Sequence, residues 1–596
     1  MNDTAFWYTV QTMPSFHKSL EGAVRDALGA YDDFTAGLLS RRGIETPEAA
    51  EAFLSPNYDA HIGDPMHILN MSRAATRIAK AIDNQERITV WSDYDCDGIP
   101  GGTLMHDFFK KAGANFTNYI PHRHLEGFGL NQIGIQKLKD EGTTLIITVD
   151  CGIADVEHVA FAQSLGIDVI VTDHHLPRRN QDGTEELPPA YAVIDPKQEG
   201  ETNIYRDFCG GGLAWKLVCA VLATGFKGRD AIPVGWEKWL LDMAGLSTIA
   251  DMVPLTGENR VIAKYGLLVM RKSPRIGLQK LCTVARVNQR FITEDDVGFM
   301  IAPRVNAASR MGDPRDAFEL FTTTDEVRAD ELAKGLEKVN RSRKASGAAV
   351  TRAARERLER KKEENNGELP PVIAMGDPDW RPGLLGLVAN SLAEEYERPV
   401  FLWGREGSTT AKGSCRAGRK GVSVVELMAR AEDIFVEAGG HAASGGFTLK
   451  DDAVFTFEER LCTAYATLSP ISLTDSVSLA DHAITAADEL STLLIRTEKL
   501  APFGMENPKP VFALQDCVVT QVSWFGKGEE HLRVRVTRDD GFNCTEIEAI
   551  TFFARRELGK DHERLVTGKP ATILGTLERD TYTRGQPVRM RLVSIG

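Results

Sequence analysis

Four short apolar runs, at residues 88–91, 144–149, 168–171 and 191–194, are hydrophobic on both faces and separated by stretches of helical character. Strands of that kind, alternating with helices, form a parallel, doubly wound sheet covered on both sides. Ligands of such open sheets bind just beyond the carboxyl ends of the strands. Here Asp93-Tyr94-Asp95-Cys96-Asp97 follows the first run, Asp150 the second and Asp173-His174-His175 the third. The sheet thus locates a site before its chemistry is known. Asp195, after the fourth run and ahead of Pro196, reads as a turn residue.

The remainder of the 596 residues divides around this sheet. The patterning predicts a helical segment at 1–80, with a helix start at Thr46-Pro47-Glu48, and an α/β domain at 81–325. A connector helix is expected at 326–366, where Leu332, Leu336, Val339, Val350 and Leu358 make a discontinuous apolar stripe on a charged surface. A smaller α/β domain at 367–470 has strands near 372–376, 399–404 and 444–449. Alternation such as Leu532-Arg533-Val534-Arg535-Val536 predicts half-exposed antiparallel strands, and with them a β-barrel domain at 471–596.

A net charge of −14 argues, on its face, against a nucleic-acid partner. Global charge is a weak veto, because acidic metal ligands add negative charge that their ions cancel locally. A strand path needs only a local basic stripe. No run of eighteen apolar residues occurs and the first residues lack the order of a signal peptide, so the expectation is a cytoplasmic protein with no membrane partner. The nine scattered cysteines read as reduced thiols rather than a zinc knuckle or a disulfide framework.

Asp93, Asp95 and Asp97 alternate just after a strand, so in extended backbone they point the same way. Three such charges call for a hard divalent cation bound through oxygen. Taken alone, the segment has the lesser alternative of a calcium-type loop or a solvated turn, and Asp150 alone is as readily a helix N-cap. Three strand ends on one edge favour a shared site. The triplet at 173–175 adds an imidazole ligand, an acid to orient it and a second imidazole for the substrate. Carboxylates with one histidine and no cysteine suit Mn2+ or Mg2+ better than zinc, and two such ions suit hydrolysis of a phosphate diester. A single-metal lyase or a structural metal site is the alternative.

At these residues the sequence resembles the DHH phosphoesterase superfamily and, within it, the RecJ exonucleases. Asp93 to Gly98, Asp150-Cys151-Gly152, Asp173-His174-His175 and Ala250-Asp251-Met252 are similar to its successive motifs. Ala302-Pro303-Arg304-Val305-Asn306 with Ser309-Arg310 resembles a segment that supplies arginine to the substrate. Gly413-Ser414-Cys415-Arg416 and Gly439-Gly440-His441 resemble the companion DHHA1 domain, and the β-rich end resembles an OB-type barrel. Ile99-Pro100-Gly101-Gly102-Thr103, Cys96 and Ser309 depart from that pattern without removing a ligand.

The resemblance implies a 5′→3′ exonuclease of single-stranded DNA, acting in repair and recombination with two Mn2+ or Mg2+ ions. It implies ligands Asp95, Asp97, Asp150, His174 and Asp251, with Asp93 as a further one. His175 would face the scissile phosphate and Asp173 would orient from behind. Arg304, Asn306, Arg310, Ser414, Arg416, Gly440 and His441 would contact the strand; the bland reading of each arginine is a surface ion pair. Gly439-Gly440 is readable as an anion nest or a tight turn, and Gly210-Gly211-Gly212 as close helix packing. The barrel residues Trp524, Phe525, Arg533, Arg535, Arg589 and Arg591 are readable as a stacking platform or as core. The expected partners are single-stranded DNA and a single-strand-binding protein or helicase, with the chain a monomer. A phosphodiesterase of short oligonucleotides or cyclic dinucleotides, and a degenerate single-strand-binding scaffold, are the competing readings.

Overall fold

The computed structural model describes residues 20, 22–180, 182–418, 422–468, 480–485, 488–526, 528–539, 544–580, 583, 585 and 587–596. The helical expectation for residues 1–19 and the start of the barrel domain at 471–479 lie outside them. Between them the contacts define two units: one comprises residues 47–343 and 500–508, the other 1–46, 344–499 and 509–596.

The first unit is built on five parallel strands: β1 (Ile88–Ser92), β2 (Phe116–Tyr119), β3 (Leu145–Val149), β4 (Asp168–Thr172) and β5 (Ala192–Ile194). Their order is β2-β1-β3-β4-β5. Every residue of β1 and β3 is buried. Each fully buried Val, Leu or Ile is worth roughly 1.5–3 kcal/mol over its exposed state, so the core rather than the turns fixes the register. Strand β2 has no counterpart in the sequence reading. Phe-Thr-Asn-Tyr is only half buried at the sheet edge and lacks the apolar run that marks its neighbours. Helices α1 (Gly98–Ala112) and α2 (Gly210–Thr224) pack against this sheet, and α3 (Leu241–Ala250) packs on both of them.

Helix α4 (Glu326–Glu364) carries two separate apolar patches. Ala329, Leu332, Ala333 and Leu336 enter the core of the first unit, and Val350, Ala354 and Leu358 a core of the second. Between residues 337 and 349 only Asn340 is buried. Val339, read as part of one stripe, is only half buried.

The second unit contains a mixed five-stranded sheet and a barrel. The sheet runs in the order Phe435–His441, Ser444–Leu449, Ala411–Arg416, Val400–Gly404, Ile373–Asp377, with only the last pair parallel. Gly439-Gly440, readable from sequence as an anion nest or a tight turn, lies in a strand, as does Gly413-Ser414-Cys415-Arg416. In the barrel, Phe512–Phe525 pairs with both His531–Asp539 and Pro570–Arg579, which closes it through Cys544–Thr551 and Val588–Ile595. Helix Asp33–Ser40, from the segment read as a separate N-terminal part, packs here through Phe34 on Phe512 and Arg41 on Asp481.

Candidate metal centre

Asp97 is fastened by the protein itself. Its Oδ2 accepts the Gly210 N–H at 2.7 Å and its Oδ1 the Gly211 N–H at 2.8 Å, and the Ser247 hydroxyl donates to the same Oδ1. The free amides at the start of α2 thus meet an anion, as helix N-termini favour. Only glycine permits this approach. A Cβ on Gly210 would stand 2.4 Å from Asp150 Cβ, and one on Gly211 2.1 Å from Ser247 Oγ. The triple glycine therefore orients a carboxylate as well as packing a helix, a task its sequence distance from Asp97 conceals.

The turn after β1 is fixed in the same way. Asp95 Oδ1 accepts the amides of Asp97 at 2.7 Å and Gly98 at 3.2 Å, while Asn306 Oδ1 accepts that of Cys96 at 2.8 Å. Beyond β3, Asp150 adopts a left-handed φ of 63° that turns its carboxylate back toward the same point. His174 Nε2 lies 3.1 Å from Asp150 Oδ1, 3.6 Å from Asp97 Oδ2 and 3.7 Å from Asp251 Oδ2. Asp251 comes from the C-terminal end of α3. Asp97, His174 and Asp251 form one group of donors, Asp93, Asp95 and Asp150 another, and the atoms within each group lie within 4.8 Å of one another.

The electrostatics fit a bound cation. Burial and then the neighbouring carboxylates push Asp93 and Asp150 well above the usual carboxylate range, and raise Asp251 to about 8. Asp93 Oδ1 is buried without a hydrogen-bond partner among the described residues. Burial pushes the His174 pKa down, which keeps its ring in the neutral, ligating form. His175 behaves oppositely. Burial opposes its charge, but its Nδ1 contacts Asp173 Oδ1 at 2.8 Å and its pKa rises to about 9. Asp173 is buried, yet His175, His174 and the Ile153 amide hold it below the ordinary range. Asp195 Oδ1 accepts the Lys197 N–H, as a turn residue would, but the side chain is fully buried and burial lifts its pKa to about 8.

Two residues assigned to the strand serve other ends. Arg304 is buried, with Nε 2.7 Å from Glu337 Oε2 and a further bond to the Met300 carbonyl, so its guanidinium is not offered to a phosphate. Asn306 holds the turn around Cys96 instead. Arg310 does stand near the site: burial, followed by the charges of Arg123 and Arg343, lowers its pKa to about 10, with Asp95 and Tyr94 opposing.

The loop after β2 supplies what the sequence reading missed. Arg123 lies 5.0 Å above the Tyr94 ring, and Phe128 meets Tyr94 edge-on at 6.4 Å and His175 at 5.8 Å. The signal was there in His122-Arg123-His124, but the short polar strand before it hid that this loop too leaves a carboxyl end.

In the second unit the strand register aligns Arg416, Ser444 and His441 in one row and Ser414, Gly446 and Gly439 in another. A Cβ on Gly386 would meet Arg416 Nη2 at 3.0 Å and Ser414 Oγ at 3.6 Å, which places these two side chains over one helix. Gly440, with φ +143°, belongs to an edge strand rather than a nest or a tight turn. A Cβ there would lie 2.4 Å from the Ser444 carbonyl oxygen. In the barrel, Arg533 and Arg535 pair with Glu548, and Arg589 and Arg591 with Glu578. Arg589 is also buried, which removes it from a strand-binding surface. Phe525, His531, Phe552 and Phe553 cluster edge to face at the barrel end, and Phe553 is 44% exposed.

These features are those of a DHH-type phosphoesterase domain followed by its companion domains. Family models agree: the DHH family N-terminal domain matches residues 87–245, the DHHA1 domain 370–467 and the RecJ OB domain 480–594. The single-stranded-DNA-specific exonuclease RecJ of Bacillus subtilis is 34% identical over 91% of this chain, which spans 65% of that protein's length. The Escherichia coli protein of the same name is 30% identical, with 78% of this chain and 81% of that one covered. The crystal structure of RecJ from Thermus thermophilus in complex with Mn2+ superposes with a TM-score of 0.76 at 25% identity, covering 98% of this chain and 78% of that one. The chain belongs to the RecJ family. Mn2+ or Mg2+ fits both the donor set and the solved relatives, which include a Mg2+ complex.

Proposed function

We infer that this chain is a metal-dependent exonuclease that hydrolyses single-stranded DNA from its 5′ end. The observation that carries the reading is the gathering of Asp93, Asp95 and Asp150 into one group and Asp97, His174 and Asp251 into another, each with donor atoms within 4.8 Å of one another and the two linked where His174 lies 3.1 Å from Asp150. Asp93, Asp95 and Asp150 would hold one divalent ion, and Asp97, His174 and Asp251 a second. Bound there, the ions supply Lewis-acid activation of water and charge neutralisation at a phosphate diester.

The chain's own residues do the rest. Gly210, Gly211 and Ser247 hold Asp97 against the repulsion of its neighbours. His175, held through Nδ1 by the Asp173 carboxylate, which favours the protonated ring, presents Nε2–H to a phosphate oxygen as an acid or electrostatic stabiliser. Arg310 and Arg123 offer forked donors beside Tyr94, and Ser414, Arg416, Gly440 and His441 would contact the phosphate backbone from the DHHA1 domain. The 5′→3′ polarity, DNA rather than RNA as substrate, and a role in repair and recombination rest on the family. A requirement for unpaired ends supports a helicase or single-strand-binding protein as partner of a monomeric enzyme.

The test is digestion of single strands labelled at either end, with Mn2+, Mg2+ or chelator. Release from the 5′ end, dependent on metal and abolished in Asp150→Ala, is expected. Degradation confined to a dinucleotide, or binding without cleavage, would replace this reading.

A further inference from the structure

Phe128 is an aromatic residue that the packing of the fold does not account for. It is 52% exposed, although full burial of such a side chain would gain roughly 1.5–3 kcal/mol. Gly127 and Gly129 on either side have φ of +87° and +76°, so the chain turns sharply to project the ring.

The projection is held in place. Immediately after Phe128, the buried Trp91 donates through Nε1 to the Gly129 carbonyl at 3.2 Å, and Asp155 Oδ2 accepts the Leu130 N–H at 2.9 Å. A Cβ on residue 129 would lie 2.4 Å from that same Asp155 oxygen. The clamp keeps the ring beside the centre, edge-on to His175 at 5.8 Å with an interplanar angle of 77° and to Tyr94 at 6.4 Å. Arg123 stacks on Tyr94 from the same loop. An exposed ring thus adjoins the imidazole assigned to the scissile phosphate, with a tyrosine beside the ring and a cation over that tyrosine.

We propose that Phe128 is the stacking platform for the nucleobase of the terminal nucleotide, the one removed at each turn of the reaction. The proposal rests on the reading of this site as an exonuclease centre. Every base has a π-face, so a phenyl ring binds the end of a strand whatever its sequence, as an enzyme that degrades successive nucleotides requires. Stacking on Phe128 also needs the terminal base to leave its neighbour. A ring fixed beside His175 therefore orients the phosphate and selects for unpaired ends. A protein-docking role for the ring fits less well, because its occupant would cover His175.

The experiment compares wild type, Phe128→Ala, Phe128→Leu and Phe128→Trp on two oligonucleotides that differ only in having a base or an abasic residue at the degraded end. On the normal strand, Phe128→Ala and Phe128→Leu should lose between about fivefold and about a hundredfold in kcat/KM, and Phe128→Trp should keep its rate. On the abasic strand all four proteins should be equally slow. Equal losses on both strands, or no loss on the normal one, would overturn the proposal while leaving the exonuclease reading intact. A wild-type protein that degrades neither strand with Mn2+ would overturn both.

Discussion

Asp173 Oδ1 stands 2.8 Å from His175 Nδ1, and the two residues shift each other's titration in opposite directions. The His175 pKa of about 9 lies above its unfolded value near 6.5. This interaction contributes stability that is fully present below about pH 6.5 and is lost as pH rises through about 9. In metal-free protein, NMR titration should find the His175 ring still protonated at pH 8. Asp173→Asn should lower that midpoint and move the alkaline limb of the nuclease pH profile to lower pH; an unmoved limb would separate His175 from the chemistry.

Asp251 carries an expectation of the same sign for metal-free stability, in a lower pH window. Burial and the charges of Asp97 and Asp95 raise its pKa to about 8, so the folded protein holds a proton that the unfolded chain releases near pH 4. Stability is lost as pH rises from about 4 through about 8. Without metal at pH 8, Asp251→Asn should therefore melt at a higher temperature than wild type. With saturating Mn2+ the order should reverse, and calorimetric titration should show weaker binding.

Gly211→Ala brings a methyl group to 2.1 Å from Ser247 Oγ and 3.2 Å from Asp97 Oδ1. Overpacking of this kind costs about 1–3 kcal/mol, and here it also pushes on a ligand. The variant should unfold at lower denaturant concentration and bind Mn2+ more weakly, with nuclease activity reduced at limiting metal and partly restored by excess.

Arg304→Ala would leave Glu337 with one guanidinium partner fewer at a site where its side chain is 14% exposed. A buried charge left uncompensated costs about 3–5 kcal/mol, and Arg341, 2.6 Å from Glu337, holds the cost here below that range. The expected result is a drop in thermal stability, while the salt dependence of single-strand binding stays that of wild type. Arg310→Ala should do the opposite, flattening the slope of log affinity against log salt by about 0.7 for one lost phosphate contact.

The carboxyl-edge cluster was legible because β1, β3 and β4 are largely apolar and each is followed at once by an aspartate, Asp93, Asp150 or Asp173. What the sequence hid was of three kinds. Contacts across long separations left no local trace: Gly210 lies 113 residues from the carboxylate that it binds. Side chains of one type also looked alike. Arg304 and Arg310 occupy one helix, yet only packing decides that the first is buried against Glu337 while the second stands near Asp95. Phe128 escaped because a single aromatic in a loop carries no periodicity, and because β2 is too polar to mark the loop's origin.

The segment Leu500–Pro508 belongs to the catalytic unit although it follows the DHHA1 domain in sequence. Arg260, buried and 240 residues earlier than Leu500, donates to the carbonyls of Leu500, Ala501 and Pro502, and the Leu255 N–H bonds the Met505 carbonyl. During synthesis these donors wait. At about 5–20 residues per second, the ribosome needs roughly ten seconds or more to travel from one partner to the other. For that interval the metal-binding half of the protein exists with its last strap missing, so the enzyme is completed only when nearly the whole chain has been made.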